Sequence, residues 1–312
     1  MKPTILIADG LETAGQHILA QGGDVSDQNG ISPADLSASL NQYDALIVRS
    51  RTRVTADLLA AAPRLKVVGR AGVGVDNIDL AAAQARGVIV VNSPTATTLA
   101  VAELTLALML DLARLTPAAD AKMKAGVWDK KNLVGAELYG KTIGIIGVGN
   151  IGGAVASRAA AFGMAVIGYD AWLPAERVRA NGAQPASLPE LYARADYISL
   201  HVPLTPETRG MIGAAAIAQM KPGVRIVCAA RGGVIDEAAL LDALGSGRVA
   251  GAGLDVFEQE PPGASPLVLH PRVVATPHIG AQTQEAQERA AVDIAGEILR
   301  ALRGEDLRWR VV

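Results

Sequence analysis

Residues 141–170, KTIGIIGVGNIGGAVASRAAAFGMAVIGYD, constrain the fold more than any other stretch of the chain. Residues 142–146 are mostly apolar and β-branched, as in a buried strand. Gly147, Gly149 and Gly152 come next in the pattern G-x-G-x-x-G, with Asn150 and Ile151 in its open positions. A run rich in small residues over 154–162 then predicts a helix. A second apolar run, 165–169, ends at Asp170. This order is the first half of a dinucleotide-binding βαβ unit. Gly147 permits the tight turn, Gly149 lets a pyrophosphate approach the backbone, and Gly152 lets helix and strand pack closely. The N–H groups and dipole of the helix start would hold the phosphates. Asp170, 23 residues beyond Gly147, stands where a carboxylate binds both ribose hydroxyls. Its charge would repel a 2′-phosphate, so NAD is expected over NADP.

The chain of 312 residues has room for two ordinary domains. Half of it is hydrophobic and 19% is charged, which argues against disorder. A formal net charge of -2 gives nucleic acid no electrostatic footprint. No apolar run reaches membrane-spanning length, and no basic, apolar leader opens the sequence. No membrane or nucleic-acid partner is therefore expected, and a cytoplasmic protein is. The single cysteine, Cys228, lies in an apolar run and reads as a buried small side chain. The four histidines are scattered and Cys228 has no ligand-spaced partner, so no metal site is expected.

Strand and helix signals alternate along the whole chain, as in α/β folds. Strands are predicted over 4–8, 44–48, 88–91, 195–201, 224–229, 251–254 and 273–276, and residues 67–68 lead into GRAGVGVDN. The first of these units lacks the glycine fingerprint and reads as a smaller, substrate-side domain. A long helical pattern over 97–115 leads into the nucleotide domain. A second, from about 283 to 302, returns to the first.

Ligands of open parallel sheets bind beyond the C-terminal strand ends, at the topological switch point. That rule selects Arg231, Asp255 and His278, with Glu260 five residues beyond Asp255. The set suits redox chemistry on a hydroxy acid, in which hydride leaves carbon while a proton leaves the hydroxyl. His278 is the candidate acid–base, because imidazole titrates near neutral pH. A carboxylate on its other ring nitrogen would fix the tautomer and favour imidazolium. Either Glu260 or Asp255 can fill that role, and Asp255 can instead support the loop. Arg231 offers a planar fork for a substrate carboxylate. His201 comes directly after a strand and is a candidate on the cofactor side. There is no G-x-S-x-G elbow and no G-x-x-x-x-G-K-[ST] loop, so hydrolase and ATPase readings fall away.

The chain resembles the D-isomer-specific 2-hydroxyacid dehydrogenases. The resemblance is carried by LIVRSRTRVT (46–55), VVGRAGVGVDNIDL (67–80), ELYGKTIGIIGVGNIGG (137–153), FGMAVIGYD (162–170), HVPLTPETRGMI (201–212), CAARGGVIDEAAL (228–240), GAGLDVFEQEPP (251–262) and TPHIGAQTQEAQ (276–287). It implies an α/β fold of two Rossmann-like domains. An NAD-binding domain, residues 96–283, would be inserted into a smaller flavodoxin-like substrate domain, residues 1–95 plus 284–312. It also implies a homodimer built mainly through the cofactor domains, with a tetramer as an extension. Carried over by position, Arg231 matches the carboxylate arginine, His278 the catalytic histidine and Glu260 its paired acid. Asp255 matches an acid near the nicotinamide amide, and Asp170 the adenosine-ribose acid. Asn150 stands where relatives often carry an arginine near the pyrophosphate. Arg49, Arg53, Arg70, Val73 and Gly74 fall in segments lining the substrate side. In relatives with a phosphorylated substrate, Arg49 matches a phosphate contact. Lys130 falls where such relatives often place a basic residue donated by the partner subunit. Val73 replaces a common threonine. Two cations favour a phosphorylated hydroxy acid over glyoxylate, hydroxypyruvate or another 2-hydroxy acid. A corepressor-like NAD-sensing protein is the alternative from outside enzymology.

Overall fold

The computed structural model describes residues 2–312. The chain divides into two compact units. One runs to Thr98 and resumes over Ala281–Val312; the other is Leu99–Gly280.

The first unit carries a five-stranded sheet of β1 (Thr4–Ile7), β2 (Asp24–Asp27), β3 (Ala45–Val48), β4 (Val67–Arg70) and β5 (Ile89–Asn92). All neighbours are parallel, in the order β2-β1-β3-β4-β5. This is the 2-1-3-4-5 order of doubly wound, flavodoxin-like sheets. Both faces are covered, so the inner strands are apolar throughout rather than alternating with polar residues. Ile5, Ile7 and Ile47 face a core shared with Leu19 and with Ala291, Ile294 and Ile298 of the C-terminal helix Gln284–Arg303. Leu6, Leu46 and Val48 face the opposite core, with Leu36, Leu59 and Ala83. The C-terminal helix lies close because glycines line its seat. A Cβ on Gly15 would sit 2.7 Å from the Ala291 carbonyl oxygen, and one on Gly69 would sit 2.8 Å from Ile294. The last residues return to the sheet, where the Val311 N–H donates to the Val90 carbonyl at 2.8 Å.

The second unit holds β6 (Thr142–Ile146), β7 (Ala165–Tyr169), β8 (Gln184–Pro185), β9 (Tyr197–Leu200), β10 (Val224–Cys228), β11 (Val249–Leu254) and β12 (Val273–Ala275). These form one parallel sheet in the order β12-β11-β10-β9-β6-β7-β8. The order reverses between β6 and β9, which is the switch point. Ile143, Ile145 and Val227 pack on one side with residues of the helices Thr98–Arg114 and Asn150–Ala161. Ile198, Ile226 and Leu254 pack on the other with Leu191, Ile217 and Leu244. Among the described residues no helix is long and apolar enough to cross a membrane.

Several elements carry no apolar signal in the sequence. Strand β2 reads DVSD, a polar edge strand. The helices Pro33–Ser39 and Leu188–Arg194 are short, and each begins at a serine whose hydroxyl accepts an N–H three residues on. The helix Thr116–Lys124 buries no residue at all, so no stripe marks it.

Candidate active site

Every candidate in the second unit's sheet sits just beyond a strand end. Gly147 lies past β6, Asp170 past β7, His201 past β9, Arg231 past β10, Asp255 past β11 and His278 past β12. The parallel register places these ends along one edge of the sheet.

The glycine turn is built for close approach. Gly147 has φ +89°, and a Cβ there would fall 2.5 Å from the His201 carbonyl oxygen. A Cβ on Gly152 would fall 2.0 Å from the Gly147 carbonyl oxygen, so only glycine lets the helix start this near the strand. Gly149 differs: nothing lies within 4 Å of its Cβ position, so the backbone faces open space. The helix begins at Asn150 and Ile151, earlier than the small-residue run at 154 suggests. Its first N–H groups therefore face the position a pyrophosphate takes. Asp170 is tied into the same turn. One of its oxygens accepts the Val148 N–H at 2.8 Å; the other accepts Trp172 and Leu173 at 2.9 and 3.0 Å. An open glycine, a helix start and a fixed carboxylate together fit an NAD molecule. Replacing Asp170 with Ala is expected to narrow the preference for NAD(H) over NADP(H) in kcat/KM. A wild-type enzyme that prefers NADP(H) would refute the role of this carboxylate.

His201 is partly buried at the switch point, with Ser199 Oγ 2.8 Å from its Nε2. Burial pushes its pKa down to about 4, so this imidazole is neutral at pH 7. Burial also pushes the Cys228 thiol up to about 11, which makes it an inert core group.

Glu260 and His278 meet directly: Glu260 Oε2 is 2.7 Å from His278 Nδ1. The other carboxylate oxygen accepts the Phe257 N–H at 3.2 Å. Burial acts to raise the Glu260 pKa. The hydrogen bond and charge of His278, the Phe257 N–H and the Arg231 guanidinium outweigh it, and the net direction is down. Glu260 is thus held as a carboxylate. His278 has φ +54°, the left-handed region, where a non-glycine residue costs roughly 1–2 kcal/mol. Both side chains remain accessible, at 45% and 39% exposure, so the pair can reach a ligand.

The Arg231 loop leans on the loop that carries Glu260. A Cβ on Gly232 would fall 1.8 Å from the Phe257 carbonyl oxygen. Glycine at 232 is therefore a condition for Arg231 and Glu260 to share one neighbourhood. The Arg231 guanidinium donates to its neighbour's carbonyl, Ala230 O, at 2.7 Å.

Asp255 is not the partner of His278. It is 1% exposed. Its Oδ1 accepts the Thr276 hydroxyl at 2.6 Å and the Ile279 N–H at 2.8 Å, and its Oδ2 accepts the Gly280 N–H at 2.8 Å.

The remaining candidates lie elsewhere. Arg49, at the end of β3, and Arg70, at the end of β4, belong to the first unit, with Arg53, Val73 and Gly74. The Arg49 backbone is fixed by Asp9, which accepts its N–H at 2.7 Å and the Thr52 hydroxyl at 2.6 Å. Burial raises the Asp9 pKa, but these donors and Arg51 outweigh it and hold the carboxyl below its ordinary value. Asn77 adds a brace, donating to the carbonyls of Arg49 and Thr52 at 2.9 and 2.6 Å. The Arg49 guanidinium pairs with Glu12 at 3.2 Å. Arg53 is exposed. The Val73 carbonyl accepts from Asn92 at 2.6 Å. Lys130 is exposed on a short turn, 130–132, of the second unit. Sequence reasoning misses Asp9, Asn77 and Thr276. Asp9 and Thr276 follow strand ends and Asn77 lies in the loop after β4, and the role of each appears only once the strands are placed side by side.

Residues 106–280 match the D-isomer specific 2-hydroxyacid dehydrogenase, NAD binding domain. The chain is 50% identical over 302 residues to D-3-phosphoglycerate dehydrogenase of Methanocaldococcus jannaschii, covering 96% of this chain and 58% of that protein. It is 48% identical over 304 residues to D-3-phosphoglycerate dehydrogenase of Rattus norvegicus, covering 97% and 57%. The chain thus spans a little over half the length of these relatives. Its structure is similar to that of a glyoxylate reductase from Paecilomyes thermophila, with TM-score 0.92, 32% identity and coverage of 99% and 98%. The chain belongs to the D-isomer-specific 2-hydroxyacid dehydrogenase family, and its second unit is the NAD-binding domain of that family.

Proposed function

We propose that the protein oxidises 3-phospho-D-glycerate to 3-phosphohydroxypyruvate with NAD, the reaction that opens serine biosynthesis. The observation that carries the redox reading is the Glu260–His278 pair, accessible and joined at 2.7 Å, beside Arg231. NAD, when bound, supplies the hydride acceptor. Arg231 holds the substrate carboxylate in a bidentate grip. His278 takes the proton from the C2 hydroxyl during oxidation and returns it to the ketone oxygen during reduction. Glu260 holds the ring from its far nitrogen and stabilises the imidazolium. By the family resemblance, Arg53, Arg70, Val73 and Gly74 of the first unit belong to the substrate side, and Asn150, Ile151, His201 and Asp255 of the second unit to the cofactor side.

The phosphorylated substrate is supported by the identity to phosphoglycerate dehydrogenases and by Arg49, with Lys130 as a second cation. Glyoxylate or hydroxypyruvate is the second reading, supported by the likeness to a glyoxylate reductase and by Val73. Losing one charged hydrogen bond costs about 1.5–3 kcal/mol, which is roughly 10- to 150-fold in kcat/KM. Arg49→Ala is expected to lose this much with 3-phosphohydroxypyruvate and far less with hydroxypyruvate. Equal losses on the two substrates would remove Arg49 from the phosphate site.

A homodimer in the cytoplasm completes this reading. Its support is the apolar surface of the 116–139 segment, where Met123, Trp128, Val134 and Tyr139 are 55%, 80%, 81% and 76% exposed. Large apolar side chains left exposed along one segment support an association surface there.

A further inference from the structure

We propose that Glu237 is a positioning residue: its carboxylate takes the Glu258 N–H and thereby registers the loop that presents Glu260 against the loop that presents Arg231. The proposal rests on the acid–base reading of the Glu260–His278 pair.

Glu237 opens the helix Glu237–Gly245, a short way along the chain from Arg231. That helix start is well fixed. Asp236 caps it, accepting the Ala239 N–H at 3.0 Å, and the Asp236 N–H donates to the Ile212 carbonyl at 3.2 Å. Leu240, Ala243 and Leu244 bury the inner face of the helix in the core of the sheet. From this fixed point the Glu237 side chain, partly buried, reaches across to the loop after β11. Its Oε1 accepts the Glu258 N–H there at 2.7 Å. A short bond to an ionised acceptor is stronger than one between neutral groups.

The residues it holds lead directly to Glu260. The Phe257 carbonyl rests on Gly232, where a Cβ would fall 1.8 Å from it. That contact is steric: it limits how near the loop can come and does nothing to stop it lifting away. The bond from Glu258 to Glu237 opposes the lift. Phe257 passes the restraint on, because its N–H donates to Glu260 Oε1 at 3.2 Å while Glu260 Oε2 meets His278 Nδ1 at 2.7 Å. Burial and the charge of Glu258 raise the Glu237 pKa, and the Glu258 N–H offsets them only in part. The carboxyl is therefore held in this place against its own solvation. A continuous path runs from the sheet, through the helix start and Glu237, to the carboxylate beside the imidazole. Its loss lets Glu260 draw back from the ring. The glycine fingerprint at β6 and β7 is not on this path, so NADH affinity is spared.

Five variants of the full chain test this: Glu237→Ala, Glu237→Asp, Glu237→Gln, Glu260→Ala and the double variant E237A/E260A. NADH affinity is measured by fluorescence titration, steady-state ketone reduction is followed across pH, and amide exchange is recorded at Glu258 without cofactor. A displacement of about 1 Å at a reacting group costs as much as 10²-fold. E237A, which removes the acceptor, and E237D, which withdraws it by one methylene, are each expected to lose roughly 10-fold in kcat. Both should hold NADH within about twofold of wild type. In both, the basic limb of kcat/KM should move to lower pH and the Glu258 amide should exchange faster. E237Q keeps an acceptor oxygen at full reach without the charge, and should recover the wild-type rate, limb and exchange. Because Glu237 acts through Glu260, E237A should cost less than about twofold further in the E260A background. The proposal is overturned if E237A keeps wild-type kcat and pH profile, if E237Q loses as much as E237A, or if the losses of E237A and E260A multiply in the double variant. Poor folding of E237A leaves the decision with E237D and E237Q. Undiminished activity in E260A is a different failure, because it removes the acid–base reading itself.

Discussion

His278→Ala is expected to lose ~10²- to 10⁴-fold in kcat, the usual worth of a placed general acid, while still binding NADH. Hydride addition to a ketone builds negative charge on oxygen, and in the proposed reaction the His278 imidazolium would both stabilise and protonate it. The nucleotide-binding turn at Gly147–Gly149 lies at other strand ends, so cofactor affinity is spared. Glu260→Gln tests the partner: it keeps the shape of the side chain and removes the charge that lies 2.7 Å from the ring. The imidazolium form then loses its anionic neighbour. The rate of ketone reduction should fall off at lower pH than in the wild type, and oxidation of the hydroxy acid at high pH should suffer less. Paired pH profiles of kcat/KM decide this. A basic limb that stays put in E260Q would mean that the carboxylate does not tune the ring. Glu260 also has a stability signature. Its folded pKa is depressed, so its contribution is present above the ordinary carboxyl value and is lost as pH falls through the folded one. E260Q should show less acid destabilisation from this site.

The second large effect concerns His201. Its folded pKa is pushed down from the usual 6.5 to about 4 by burial. Between those values the unfolded chain binds a proton that the folded chain refuses. The stability that neutral His201 allows is complete above pH 6.5 and is lost progressively as pH falls towards 4. Integrated over that window the loss is about 3 kcal/mol, a large fraction of the stability of an ordinary domain. His201→Asn does not titrate. Urea unfolding of wild type and variant at pH 7 and at pH 4.5 is expected to show the wild type losing about 2–3 kcal/mol more than the variant. The carboxylates titrate alike in both proteins and cancel in the comparison. Parallel losses would show that His201 is free to protonate in the folded state.

Much of this site is legible in the sequence because parallel α/β sheets put function at strand ends. The fingerprint at 147–152, Asp170 and the three residues Arg231, Asp255 and His278 are all found by looking for polar residues or glycines at the close of each apolar run. The choice between Asp255 and Glu260 is not legible from spacing. Both are acids in one loop, and only the side-by-side placement of β11 and β12 turns Asp255 inwards onto backbone N–H groups and leaves Glu260 facing the ring. Polar supports such as Asp9 and Asn77 are invisible for a related reason. Their partners lie up to 43 residues away in sequence, and no local pattern encodes a hydrogen bond across that distance. The helix Thr116–Lys124 is hidden differently: it has no buried face, and therefore no period to read.

Asp170 carries a consequence for redesign. The carboxylate that would discriminate between the two nicotinamide cofactors is also a staple, bonded to three backbone N–H groups of the loops on either side of it. Selectivity and scaffold are therefore written in the same two oxygen atoms. Deleting the side chain to admit a 2′-phosphate would also slacken the glycine turn on which every nucleotide sits, and the gain for one cofactor would arrive with a loss for both. Re-engineering of this chain towards NADP is better directed at adding a cation within reach of the ribose while an acceptor stays at position 170.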